Sequence, residues 1–239
     1  MKQLFLLTVL SATVVSLAGK QTSTSNKYPS GPIVQGCLSE KKVSSAVGDL
    51  SFGKTYEVQQ RAVALLRENA NRSTSCRSQV ITNLVSAMDQ PNLDLTGGKP
   101  HFYLWHYGTR LLGELKAVEV LDLLIANFDR DDGTPFPFNH HPALGGIVDM
   151  GEIALPKLQT VLRNNPDRIA RRYSVFCIAL IGGSSAKEIL RQALEGESDP
   201  CVAECIRASL TAFANKRRPY YVSDDVRTKW YSSFLCNGE

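Results

Sequence analysis

The chain of 239 residues holds 27 Lys and Arg against 23 Asp and Glu, a net charge of +4, and 43% of its residues are apolar. So small a charge excludes a protein whose main partner is a polyanion, and nucleic acid is not expected. The length is enough to bury a full core, either as one domain or as an elongated repeat array.

In chain order, residues 1–18 combine an early Lys2, an apolar run from Leu4 to Leu17, and the small residues Ser16 and Ala18 before Gly19. That is the pattern of a secretory signal peptide cleaved after Ala18, too short to span a bilayer and followed by no second long apolar run. A secreted or periplasmic location is expected, with no membrane span after cleavage. All six cysteines, Cys37, Cys76, Cys177, Cys201, Cys205 and Cys236, lie beyond the leader. An even number in an oxidising compartment favours disulfides. The chain-local pairing is Cys37 with Cys76, and Cys236 with Cys201 or Cys205.

Residues 19–53 are rich in Ser, Thr, Gly and Lys and read as a flexible segment. From residue 54 the period changes to 3.6. Helices are predicted over about 54–69, 75–88, 101–112, 117–128, 142–150, 154–162, 167–181, 186–194 and 200–213. The last is the clearest: Val202, Cys205, Ile206, Ser209, Leu210 and Phe213 form one stripe, opened by Asp199-Pro200 and closed by Lys216 to Pro219. A final helix over 223–234, opened by Ser223, Asp224 and Asp225, would cover the end of the array within 215–239.

Three stretches share one pattern: an apolar pair or near-pair, a glycine, a short linker, then a Leu-rich helix. They begin at Leu111, Asp149 and Leu180, with hinge glycines Gly113, Gly151 and Gly182. A helical hairpin recurring at 31 to 38 residues buries its stripe against its neighbours. The residues over 54–214 resemble the HEAT-repeat family, including its short HEAT-like versions. The resemblance implies an all-α, right-handed α-α superhelix of about four to five hairpins, and a protein-binding or scaffold role for another protein or exported macromolecule.

Few residues point to chemistry. His101 and His106 stand five apart, about 140° around a helix, so a metal set of His101, His106, His140 and Asp129 is only a weak alternative. HEAT-like deoxyhypusine hydroxylases hold iron with His-Glu dipeptides, whereas these histidines are followed by Phe102, Tyr107, His141 and Pro142. Neither a nucleophile elbow, a phosphate loop nor an H-E-x-x-H motif occurs, so no catalytic residue is assigned and no cofactor is expected. A metal-dependent enzyme built from these His and Asp residues, and an envelope protein held by an uncleaved leader, are the alternatives.

Binding contacts are expected in two places. The long acidic loop 127–142 carries Asp129, Asp131, Asp132, Phe136, Phe138 and His140, in a spacing that departs from a calcium loop. In "HFYLWHYG", Leu104, Trp105 and Gly108 fit the buried stripe, leaving Phe102, Tyr103 and Tyr107 either to pack in the core, the fate the stripe favours, or to form a surface aromatic patch suited to binding a protein. Arg163, Arg168, Arg171 and Arg172 form a basic cluster whose simplest role is a solvated face, the alternative being contact with an acidic partner or an anionic polysaccharide. Asn71-Arg72-Ser73 is a glycosylation acceptor in a eukaryotic host.

Overall fold

The computed structural model describes residues 36–53, 55–90, 100–128 and 141–214. Among them the secondary structure is helical, with no strand. The first helix, α1 (Glu40–Phe52), lies inside the segment expected to be flexible, and that expectation is corrected here. Val43, Ala46, Val47 and Leu50 recur at i, i+3, i+4 and i+7 and are all buried. The Val and Leu side chains each contribute about 1.5–3 kcal/mol when fully buried, enough to outweigh a Ser-rich composition. Polar contacts fix its entry: Leu38 N donates to Asn69 Oδ1 (2.9 Å), and Gln79 Nε2 donates to Leu38 O (3.1 Å) and Glu40 Oε2 (3.0 Å). The Cys37–Cys76 disulfide, expected from chain locality, locks the same corner with Cα atoms 5.1 Å apart.

Two helices follow, α2 (Tyr56–Ala70) and α3 (Thr74–Met88), each opened by a hydroxyl cap: Thr55 accepts from Val58 N, and Ser73 from Cys76 N. The aromatic-rich helix is α4 (Pro100–Glu114). Its expected partner over 117–128 is shorter than predicted: a 3-10 turn, Val118–Val120, leads into α5 (Leu121–Ile125). Next come α6 (Pro142–Met150), a 3-10 turn, and α7 (Leu155–Asn164). The array continues with α8 (Arg168–Ile181), α9 (Gly183–Gly196) and α10 (Pro200–Ala214). As read from sequence, Asp199 caps α10, accepting from Cys201 N (2.9 Å) and Val202 N (3.1 Å). The predicted helix over 223–234 and the leader lie outside the described residues.

Packing is ordered along the chain. The even helices form a row, α4 on α6, α6 on α8 and α8 on α10, while α7 lies against both α8 and α9. At the other end, α1 packs on α2, α3 and α4 together. One continuous apolar core runs through these contacts, with Trp105 and Leu112 fully buried on α4.

The three hinge glycines divide. Gly151 (φ 72°) and Gly182 (φ 75°) take the left-handed conformation that ends α6 and α8, which a side chain would strain. Gly113 does not: it lies within α4, and Lys116 (φ 54°) makes the left-handed turn instead. Gly113 serves packing, because a Cβ there would stand 2.7 Å from Asp149 Cβ and closer still to the Gly146 carbonyl oxygen. Arg77 of α3 reinforces the turn, donating to Leu115 O and Lys116 O (3.2 Å each) while pairing with Glu119 (2.8 Å).

Candidate binding surface

Helix α4 presents aromatic rings in two columns. Phe102 and His106 stack with centroids 5.8 Å apart, and Tyr103 and Tyr107 with centroids 6.4 Å apart, each pair one turn apart on the helix. Across the columns the rings meet edge to face, Phe102 on Tyr103 at 4.9 Å and His106 on Tyr107 at 5.0 Å, the arrangement that ring quadrupoles favour. Phe102, Tyr103, His106 and Tyr107 are half-buried, between the surface and core alternatives, with Tyr107 packing against the core. Burial raises the pKa of the Tyr107 hydroxyl, against a smaller opposite effect of the Gln60 side chain, so the phenol stays neutral at physiological pH.

The fully displayed part of the surface is one that the sequence reading did not select. Phe52, last residue of α1, is 68% exposed, and Tyr56, first residue of α2, is 63% exposed. Phe52 lies edge-on to His101, with centroids 6.2 Å apart, which joins the α1–α2 turn to the α4 columns. Residue 52 lies in the segment 19–53, whose composition predicts flexibility and so hides the ring as a surface aromatic. Its position at the end of the Val43–Leu50 stripe, off that stripe, was the available signal.

The weak metal alternative gains no geometry. His101 touches Phe52 and His106 touches Phe102, while His140 and Asp129 lie outside the described residues. Among the described residues no group of three or more His, Cys, Asp and Glu could hold a metal ion. Asp131, Asp132, Phe136 and Phe138 also fall outside them. His141, read as a helix-start residue, does precede α6; it is buried, with Nε2 3.2 Å from the Tyr173 hydroxyl.

The basic cluster is largely consumed inside the fold, which corrects its reading as a solvated face. Arg171 donates to Asn165 O (2.9 Å) and Pro166 O (3.2 Å) and pairs with the nearly buried Glu197 at 3.2 Å. Arg172 is buried, with its charge acting on the Cys205 thiol. Arg163 remains at the surface, donating to Gln192 (2.8 Å).

Of the remaining cysteines, Cys201 is disulfide-bonded, and Cys236 lies outside the described residues. Cys177 and Cys205 are buried thiols. Burial pushes the Cys177 pKa far up and that of Cys205 to about 11.

No protein-family model, curated protein or solved structure matches the chain.

Proposed function

We propose that the chain is an exported scaffold, a HEAT-like right-handed α-α superhelix that holds another protein against the aromatic surface of α1, α2 and α4. The observation that carries this reading is the exposure of Phe52 and Tyr56 beside the stacked rings of α4. Large aromatic side chains cost stability in water and are typical anchors of protein interfaces, where a ring fills a pocket on the partner. The row α4, α6, α8 and α10 supports the repeat architecture, since each helix finds its apolar cover on the next. Export is supported by the residues 1–18 pattern and by the Cys37–Cys76 disulfide. No helix among the described residues is long and apolar enough to cross a membrane.

The test is photo-crosslinking in the compartment to which the protein is exported, with the reactive amino acid at position 56 and, as a control, at position 187 on α9. A discrete adduct from position 56, absent from position 187 and lost with Phe52→Ala, is the expected result. Equal adducts from both positions, or none from position 56, would sink the reading. Because Phe52 is mostly exposed, Phe52→Ala should leave stability within about 0.5 kcal/mol, so loss of the adduct would not reflect unfolding.

A further inference from the structure

The aromatic surface of α1, α2 and α4 also carries hydrogen-bonding groups. The Gln60 side chain and the Tyr56 and Tyr103 phenols all act on the Tyr107 hydroxyl, so three hydroxyls and an amide gather where α2 packs on α4. Among the described residues neither Tyr56 nor Tyr103 spends its hydroxyl on a protein acceptor. Beside them the Tyr103 and Tyr107 rings stack with centroids 6.4 Å apart and planes within 12° of parallel, and Tyr56 stands 63% exposed. Resting on the reading of this face as the docking site, we propose that its occupant is a proline-rich segment of the partner in the polyproline II conformation.

The make-up of the surface selects that chemistry. Its phenols, phenyl rings and the Gln60 amide are uncharged and offer nothing to a partner chosen by charge. It is built on helices, and the described residues hold no strand, so there is no sheet edge to which an extended segment could add by backbone pairing. Its free hydroxyls are donors that need acceptors. A helical partner has already spent its backbone carbonyls internally, and the phenols it covered would lose water without gaining a bond to them. Polyproline II carries the opposite complement: no internal hydrogen bonds, carbonyls open to solvent, and no N–H at any proline. Its pyrrolidine rings pack on flat aromatic faces while its carbonyls accept from the tyrosine hydroxyls. Such a segment is also stiff before it binds, which lowers the ordering cost of docking.

The experiment uses amide NMR spectra of the exported chain titrated with decaproline and, separately, with a proline-free amphipathic helical peptide of equal length. Decaproline is expected to shift the amides of residues 56–60 and 101–107, and the helical peptide to leave them in place. Tyr56→Ala should weaken decaproline binding about tenfold or more, as loss of an aromatic anchor does. The Tyr56→Phe, Tyr103→Phe double variant keeps both rings and should weaken it roughly tenfold at an unchanged melting temperature, as loss of two hydrogen bonds does. The proposal is overturned if decaproline shifts none of these amides, if the helical peptide shifts them as strongly, or if both variants bind as the parent does. A crosslinked adduct from position 56 that forms although decaproline neither shifts these amides nor competes it away overturns the proline proposal and leaves the scaffold reading standing. Decaproline binding without any adduct from position 56 supports the proline site and sinks the scaffold reading alone.

Discussion

Gly113 of α4 and Gly146 of α6 meet backbone to backbone, with no room for a side chain between the two helices. A Cβ on Gly113 would run into the Gly146 carbonyl oxygen, and one on Gly146 would stand 2.6 Å from the Thr109 carbonyl oxygen. The neighbouring Gly145 has nothing within 4 Å of an added Cβ. Backbone atoms cannot step aside, so Gly146→Ala should cost about 2 kcal/mol through forced separation of the helices. Gly145→Ala should gain roughly 0.5–1 kcal/mol from helix propensity. Urea denaturation of the two variants checks this: similar midpoints for both would refute the close-contact account.

The Cys37–Cys76 bond closes a loop with a sequence separation of 39. A cross-link of that span stabilises by about 4 kcal/mol through the lost freedom of the unfolded chain. Replacing both cysteines by serine should therefore lower stability by about 2–4 kcal/mol. It should also speed hydrogen exchange in α1 more than in α8, because the bond anchors the entry to α1. Uniform acceleration in both helices would contradict that assignment.

Asp149 has a raised pKa because burial disfavours its charge, more than the nearby Arg110 restores it. The folded protein then holds this proton more tightly than the unfolded chain does. Stability from this site is present below the unfolded pKa of about 3.9 and falls as pH rises from there through the raised folded value. The stability difference between parent and Asp149→Asn, followed by denaturant titration over that window, should decline with increasing pH and then level off. A difference that grows with pH would mean that the ion pair with Arg110 outweighs burial.

Arg171 and Glu197 are nearly buried together. Arg171→Met leaves the Glu197 carboxylate without its cation and should cost about 3 kcal/mol. Adding Glu197→Met should recover part of that loss, since the stranded charge is gone. Additive losses in the double variant would show that the two side chains act independently.

The sequence made α10 legible almost to the residue, because its stripe, the Asp199 cap and Pro200 all carry local signals. At α1 the same i, i+3, i+4, i+7 spacing was present in Val43 to Leu50, but Ser, Gly and Lys around it outweighed the period in the reading. Gly113 shows a different limit. A glycine between apolar helical residues looks the same whether it turns the chain or admits a neighbouring helix, and only the position of α6 distinguishes the two. Likewise Lys116 has no side-chain feature that announces a left-handed turn. The candidate surface was half readable: the α4 aromatics stand out in the sequence, whereas Phe52 joins them only through the fold. Charge was misread at Arg171 and Arg172, which are nearly buried and buried rather than solvated; the carboxylate that makes burial tolerable for Arg171, Glu197, lies in a later turn and carries no local signal.

Burying Cys177 and Cys205 has a consequence for the durability of the cross-link in the folded molecule. A thiol with a strongly raised pKa supplies almost no thiolate, the species that attacks a disulfide. Once α8 and α10 have docked, these two sulfurs are withdrawn from the competition among the six cysteines. In the folded chain these two thiols therefore offer little thiolate to attack the Cys37–Cys76 bond, which is protected from reshuffling by them.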